Sequence, residues 1–214
     1  MNENELDAAA HLKTIRSLME RATVYRAISA PGALVAGVLS LIICGWLLRQ
    51  DPSHRIGPLG FVWLWTGVLV VVAAFNLWLI YRSARLRGDR FGSAGMKMAL
   101  RAVAPPMAAG FVLGFLSATR SNNYTDIVSL WILFYGLGLL AMSSFAPRSL
   151  LALGGGFLVC GLLAFFPWIR ALEGRDWHSA ISFMAVTYGG LHLIYAVSVY
   201  LMQRNQTGID GEPA

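Results

Sequence analysis

A chain of 214 residues that is 57% hydrophobic and only 13% charged does not have the composition of a water-soluble domain, in which charged residues make up about 25%. Its net charge of +6 would suit nucleic acid, but the basic residues fall between apolar runs in a pattern that membrane topology explains, so no nucleic-acid partner is expected. Six apolar runs, at 30–48, 58–81, 102–118, 126–145, 149–169 and 179–202, approach the roughly 20 residues that a helix needs to cross a bilayer. The stretches between them are too short for a soluble domain. The expected fold is all-α: a polytopic integral membrane protein of six transmembrane helices, preceded by an amphipathic helix.

Residues 1–29 form the expected cytoplasmic N-terminal segment. Leu12, Ile15, Met19 and Ala22 recur at helical spacing, with Lys13, Arg16, Glu20 and Arg21 on the other side. Such a helix lies on the inner membrane face against anionic lipids, or docks a partner helix. The first apolar run follows without a small-residue cleavage pattern, so it is read as a retained span and not as a signal peptide.

Span one carries a small-xxx-small pair, Ala33 and Gly37, and a cysteine, Cys44. Span two contains Asn76, a strongly polar residue in an apolar setting. The inner connection 82–101 is the longest and most basic, with Arg82, Arg85, Arg87 and Arg90 at its start. Gly88, Gly92 and Gly95 make it an expected mobile loop. It is the second surface for anionic lipids or a partner. Span three opens on Pro105-Pro106, which suits a helix entrance, and continues with Gly110 and Gly114 in a GxxxG frame. Span four holds Tyr135. A tight inner turn at 146–148 leads to span five, with Gly154, Gly155, Gly156 and Cys160. Two cysteines without motif spacing read as free, buried thiols. Span six carries Tyr188, His192 and Tyr195 at near-helical spacing, and residues 203–214 form a short cytoplasmic tail.

The short outer loops make antiparallel neighbours of spans one and two, three and four, and five and six, giving three hairpins. Ala30-Pro31, Ala104-Pro105 and Ala146-Pro147 suggest a weak threefold repeat, although independent helix-start choices would look the same. Trp46, Trp63, Trp65, Trp168 and Trp177 fall toward the outer interface and Trp78 toward the inner one, an aromatic belt. With both termini cytoplasmic, twelve of the seventeen Lys and Arg residues face inward. That asymmetry matches the positive-inside rule and a bacterial inner membrane.

All eleven acidic residues lie outside the spans or at their ends. Proton-coupled transport commonly relies on an intramembrane carboxylate, so that class is disfavoured. Ser40, Ser117, Ser129, Ser143 and Ser144 lie in no nucleophile frame. No catalytic residue, metal site or cofactor is assigned. Polar groups in hydrocarbon turn inward, which makes His192, Tyr188, Tyr195, Asn76 and Tyr135 the candidates for a ligand site or pathway. The expected role is non-enzymatic and works by association: a sensor, a regulator or a subunit of a membrane complex. Small-residue motifs add a homo-oligomer or a membrane-protein partner as expected associates. A small transporter or channel near span six is the alternative, and an enzyme using Tyr188 and His192 ranks last.

Overall fold

The computed structural model describes residues 30–87, 94–121, 123–143, 146–166 and 176–209. Among these, every regular element is helical. The elements are α1 (Ala30–Leu48), a 3₁₀ turn at Pro52–His54, α2 (Pro58–Arg87), α3 (Ala94–Arg120), α4 (Tyr124–Ala141) and α5 (Arg148–Leu163). The last rod is continuous: α6 (Asp176–Met184), a π-helical segment Ala185–Leu191, and α7 (His192–Ile209). Four single helices and this rod are long and apolar enough to cross a membrane, whereas α5 has 16 residues. At 1.5 Å per residue α5 covers about 24 Å.

The helices carry apolar side chains on nearly every face. Ile42, Val70 and Ile194 are each more than half exposed. An apolar surface of this extent is untenable in water but natural against lipid. The interior is held by small residues that bring backbones together. A Cβ on Gly136 of α4 would sit 2.7 Å from Leu158 N and 2.9 Å from Gly154 O of α5, and one on Gly161 would sit 2.7 Å from Leu133 N. On the other side of α4, Gly110 and Gly114 of α3 receive Phe134 and Trp131. The GxxxG pair is thus occupied within this chain. In the same way Gly37 of α1 faces Leu193 and the Gly189 carbonyl, while Gly189 receives Leu41.

These approaches set the neighbour relations. Helix α4 is central and packs tightly on α3 and α5, and α1 packs most closely on the last rod. Each expected hairpin pair touches, but spans one and two, and five and six, meet less extensively than spans one and six. Glycines lie on the one–six, three–four and four–five faces, and these are the faces that close.

Several boundaries differ from expectation. Helix α2 continues to Arg87 and α3 begins at Ala94, so the connection between them is much shorter than 82–101. No residue between Arg82 and Arg87 breaks a helix. Arg82 therefore projects from α2 and lies 5.6 Å from the Trp78 ring centroid, and Arg85 lies 5.3 Å from that of Tyr81. Helix-forming residues before the prolines carry α3 back to Ala94, so Pro105 and Pro106 lie inside the helix and not at its entrance. Their missing N–H groups leave the carbonyls of Arg101 and Ala102 without the usual partner. Pro31 and Pro147 do mark helix starts, so the three Ala-Pro pairs are not structurally equivalent. Trp46, Trp63 and Trp78 are exposed as a belt requires, but Trp65 and Trp177 are buried. Both sit on inward faces, where ring packing outweighs the interfacial preference. The N-terminal segment with Lys13, Arg16 and Arg21, as well as Arg90, Trp168 and residues 210–214, lies outside the described residues.

Candidate functional site

Midway along the helices, π-segment residue Tyr188 and α7 residue His192 face Tyr135 of α4. The Tyr135 hydroxyl and His192 Nε2 are 2.9 Å apart, with the direction of donation set by the imidazole tautomer. Tyr188 donates its hydroxyl to the Trp131 carbonyl at 3.2 Å. Phe157 of α5 backs the group, with its ring centroid 4.7 Å from Tyr135, 5.1 Å from Tyr188 and 5.3 Å from His192. His192 is 5% exposed, and its Nδ1 makes no hydrogen bond of good geometry.

Local sequence explains why these side chains converge. Gly189-Gly190 and Thr187, whose hydroxyl donates to the Phe183 carbonyl at 2.6 Å, accompany a stretch of wide π-helix. Such segments are uncommon and are frequent at functional sites. The wider turn carries Tyr188 and His192 on one face toward α4, while Gly189 leaves room for Leu41 on the opposite side.

Beside this group lies a cavity of about 110 Å³. Tyr135, Tyr188 and His192 form one wall, and Trp131 and Phe134 extend it. Ala36 and Ser40 of α1 and Trp65 and Thr66 of α2 line the cavity as well. Leu69 of α2 and Phe111 of α3 also line it, and both are exposed on the outer surface of the bundle. The open side therefore lies between α2 and α3. Every lining residue comes from the middle of its span, none from an end turn. No carboxylate, Lys or Arg lines the space.

The five sequence candidates separate. Tyr135, Tyr188 and His192 come together at the cavity. Tyr195 is buried one turn further along α7 and does not line it. Asn76 is elsewhere: its amide donates to the Val72 carbonyl of its own helix at 3.0 Å, and its side chain packs on Gly32 of α1. Sequence reasoning did not single out Ser40, Trp65 or Thr66 as site residues. Ser40 and Thr66 shared one sequence signal, a hydroxyl in mid-span. Of the five buried polar residues among those described, Thr125, Ser129, Thr187 and His192 are hydrogen-bonded, and Ser40 is not.

A second polar cluster closes the end of the bundle at which α4 and α6 begin. Asp176, the first residue of α6, accepts hydrogen bonds from the backbone N–H groups of Tyr124 (2.6 Å) and Thr125 (2.9 Å). It thus caps α4 from another helix. The Tyr124 hydroxyl donates to the Ile56 carbonyl at 2.8 Å, and the Arg55 guanidinium donates to His178 Nε2 at 3.3 Å while lying 5.6 Å from the Trp177 ring centroid. The loop after α1, the start of α4 and the start of α6 are tied into one plate.

Among the described residues no group of three His, Cys, Asp or Glu side chains converges as a metal site. Cys44 and Cys160 are free thiols. Comparison with protein-family models, with curated proteins and with solved structures finds no match for this chain.

Proposed function

We propose that this chain is a small integral membrane protein that works by association, as a sensor, regulator or subunit of a membrane complex, and not as an enzyme. The observation that carries the reading is the cavity. It is lined from mid-helix residues, is open toward the lipid side between α2 and α3, and holds no charged group. That is the form of a receptor pocket, in which occupancy shifts the packing of the surrounding helices. The bundle is read as six spans arranged as three hairpins with both termini cytoplasmic in a bacterial inner membrane, the orientation that would put twelve of the seventeen basic residues on the inner side. The basic residues at the inner end of α2 then face anionic headgroups or a partner. Extraction in a mild detergent followed by size-exclusion chromatography and mass spectrometry tests the reading. A stable complex, either homo-oligomeric or with another membrane protein, is expected. A chain that runs only as a lone monomer under every gentle condition refutes it.

A transporter or channel is the second reading, favoured by Tyr135, Tyr188 and His192 sharing one wall of the cavity. Asn76, the other candidate, does not line this cavity, and its amide donates to the Val72 carbonyl. Solute flux in liposomes that is lost in His192→Ala would favour transport; equal flux in both proteins would remove it.

A further inference from the structure

We infer that the cavity binds a neutral, lipid-soluble molecule whose head is a single oxygen-bearing ring, of the quinone or phenol class, with its apolar tail leaving between α2 and α3. This deepens the sensor reading and rests on it.

The size argues for one ring. An apolar cavity of about 150 Å³ admits benzene, and a space of about 110 Å³ with one open side suits a compact head rather than a fused ring system or a sugar. The walls argue for an aromatic or quinonoid head. Trp65, Trp131, Phe134, Tyr135 and Tyr188 surround the space, and aromatic faces favour offset or edge contacts with a flat partner. The lining carries no charge that could neutralise an ionised ligand, and an unpaired ion there would be costly.

The polar atoms argue for oxygen. Ser40 is 3% exposed, lines the cavity and has no hydrogen bond. Thr66, also in the lining, satisfies its hydroxyl on the Val62 carbonyl at 2.7 Å. Serine hydroxyls in membrane helices are ordinarily satisfied in that way, so the Ser40 donor is free for a ligand acceptor. In the same lining, the Tyr135–His192 pair can present either a donor or an acceptor, according to its tautomer. Two such groups in one lining match a ring that carries oxygen. The exposed edges of Leu69 and Phe111 mark the exit, where an alkyl tail would meet lipid chains.

The test uses the full chain in phosphatidylcholine nanodiscs, with decyl-benzoquinone as probe and tryptophan fluorescence as readout. Trp65 and Trp131 line the cavity, so bound quinone should quench a saturable fraction of the emission above the linear background of partitioning. Ser40→Ala should weaken the saturable phase about fivefold, the value of one net hydrogen bond. Ala36→Leu, which fills the space, should abolish it while the melting temperature is retained. Decylbenzene, which lacks oxygen, should compete poorly. Quenching that is linear only, or is unchanged in both Ser40→Ala and Ala36→Leu, overturns the inference, as does decylbenzene competing as well as the quinone. Loss of quinone binding with a co-purifying partner intact would sink this inference alone; saturable binding to a chain that is always a lone monomer would sink the association reading alone.

Discussion

Asp176→Ala should loosen the bundle from the end at which α4 and α6 begin. The carboxylate satisfies two of the four N–H groups that the start of α4 cannot satisfy within its own helix. It also places negative charge at the positive end of the helix dipole. Hydrogen bonds to a charged group contribute about 1.5–3 kcal/mol each. Water at the interface replaces part of that, so the expected loss is about 3 kcal/mol. Asp176→Asn keeps an acceptor but no charge and should lose about half as much. Unfolding by SDS in mixed micelles, followed by far-UV circular dichroism, measures the difference. Hydrogen exchange supplies the local reading: the Tyr124 and Thr125 amides should exchange about 100-fold faster in Asp176→Ala, the equivalent of about 2.7 kcal/mol. Asp51→Ala is the control, because Asp51 is exposed and caps nothing with its side chain. If Asp176→Ala stays within about 0.5 kcal/mol of the native chain, the range of an ordinary surface substitution, with both amides still protected, the cross-helix cap is not a stabilising contact.

Neighbouring glycines should respond in opposite ways. Gly136→Ala drives a methyl group into the backbone of α5, which cannot yield as a side chain can, and should cost about 3 kcal/mol; Gly155→Ala meets open space and should be neutral or stabilising by about 0.5 kcal/mol in the same unfolding assay. Tyr135→Phe removes the partner of His192 Nε2 and should cost about 1–2 kcal/mol by leaving a buried polar atom unsatisfied; an unchanged unfolding midpoint would show that the pair adds nothing. Tyr124→Phe should cost about 1 kcal/mol through the lost bond to the Ile56 carbonyl, and combined with Asp176→Ala it should be non-additive because both act on the same plate.

The sequence alone determined the solvent and the element type. Long runs without charge leave the backbone only helices in lipid, and 30–48 and the midpoints of the other runs could be read directly. So could the inward turn of Tyr135, Tyr188 and His192, because polar groups in hydrocarbon have few other places to go. Helix ends were less accessible: Arg82 and Arg85 look like loop in composition, yet nothing before Gly88 breaks the helix. Only the tertiary structure decided which helices touch. Among apolar helices in lipid there is no water-facing side to reveal the buried face, and neighbours are chosen by shape, where Gly136 meets α5 and Gly37 meets the last rod. The same shape decided that Asn76 stands apart, that Trp65 turns inward, that Ser40 has an empty space in front of it and that Asp176 caps a helix 51 residues away. Each of these depends on a contact between segments distant in sequence, which no local pattern of residue types encodes.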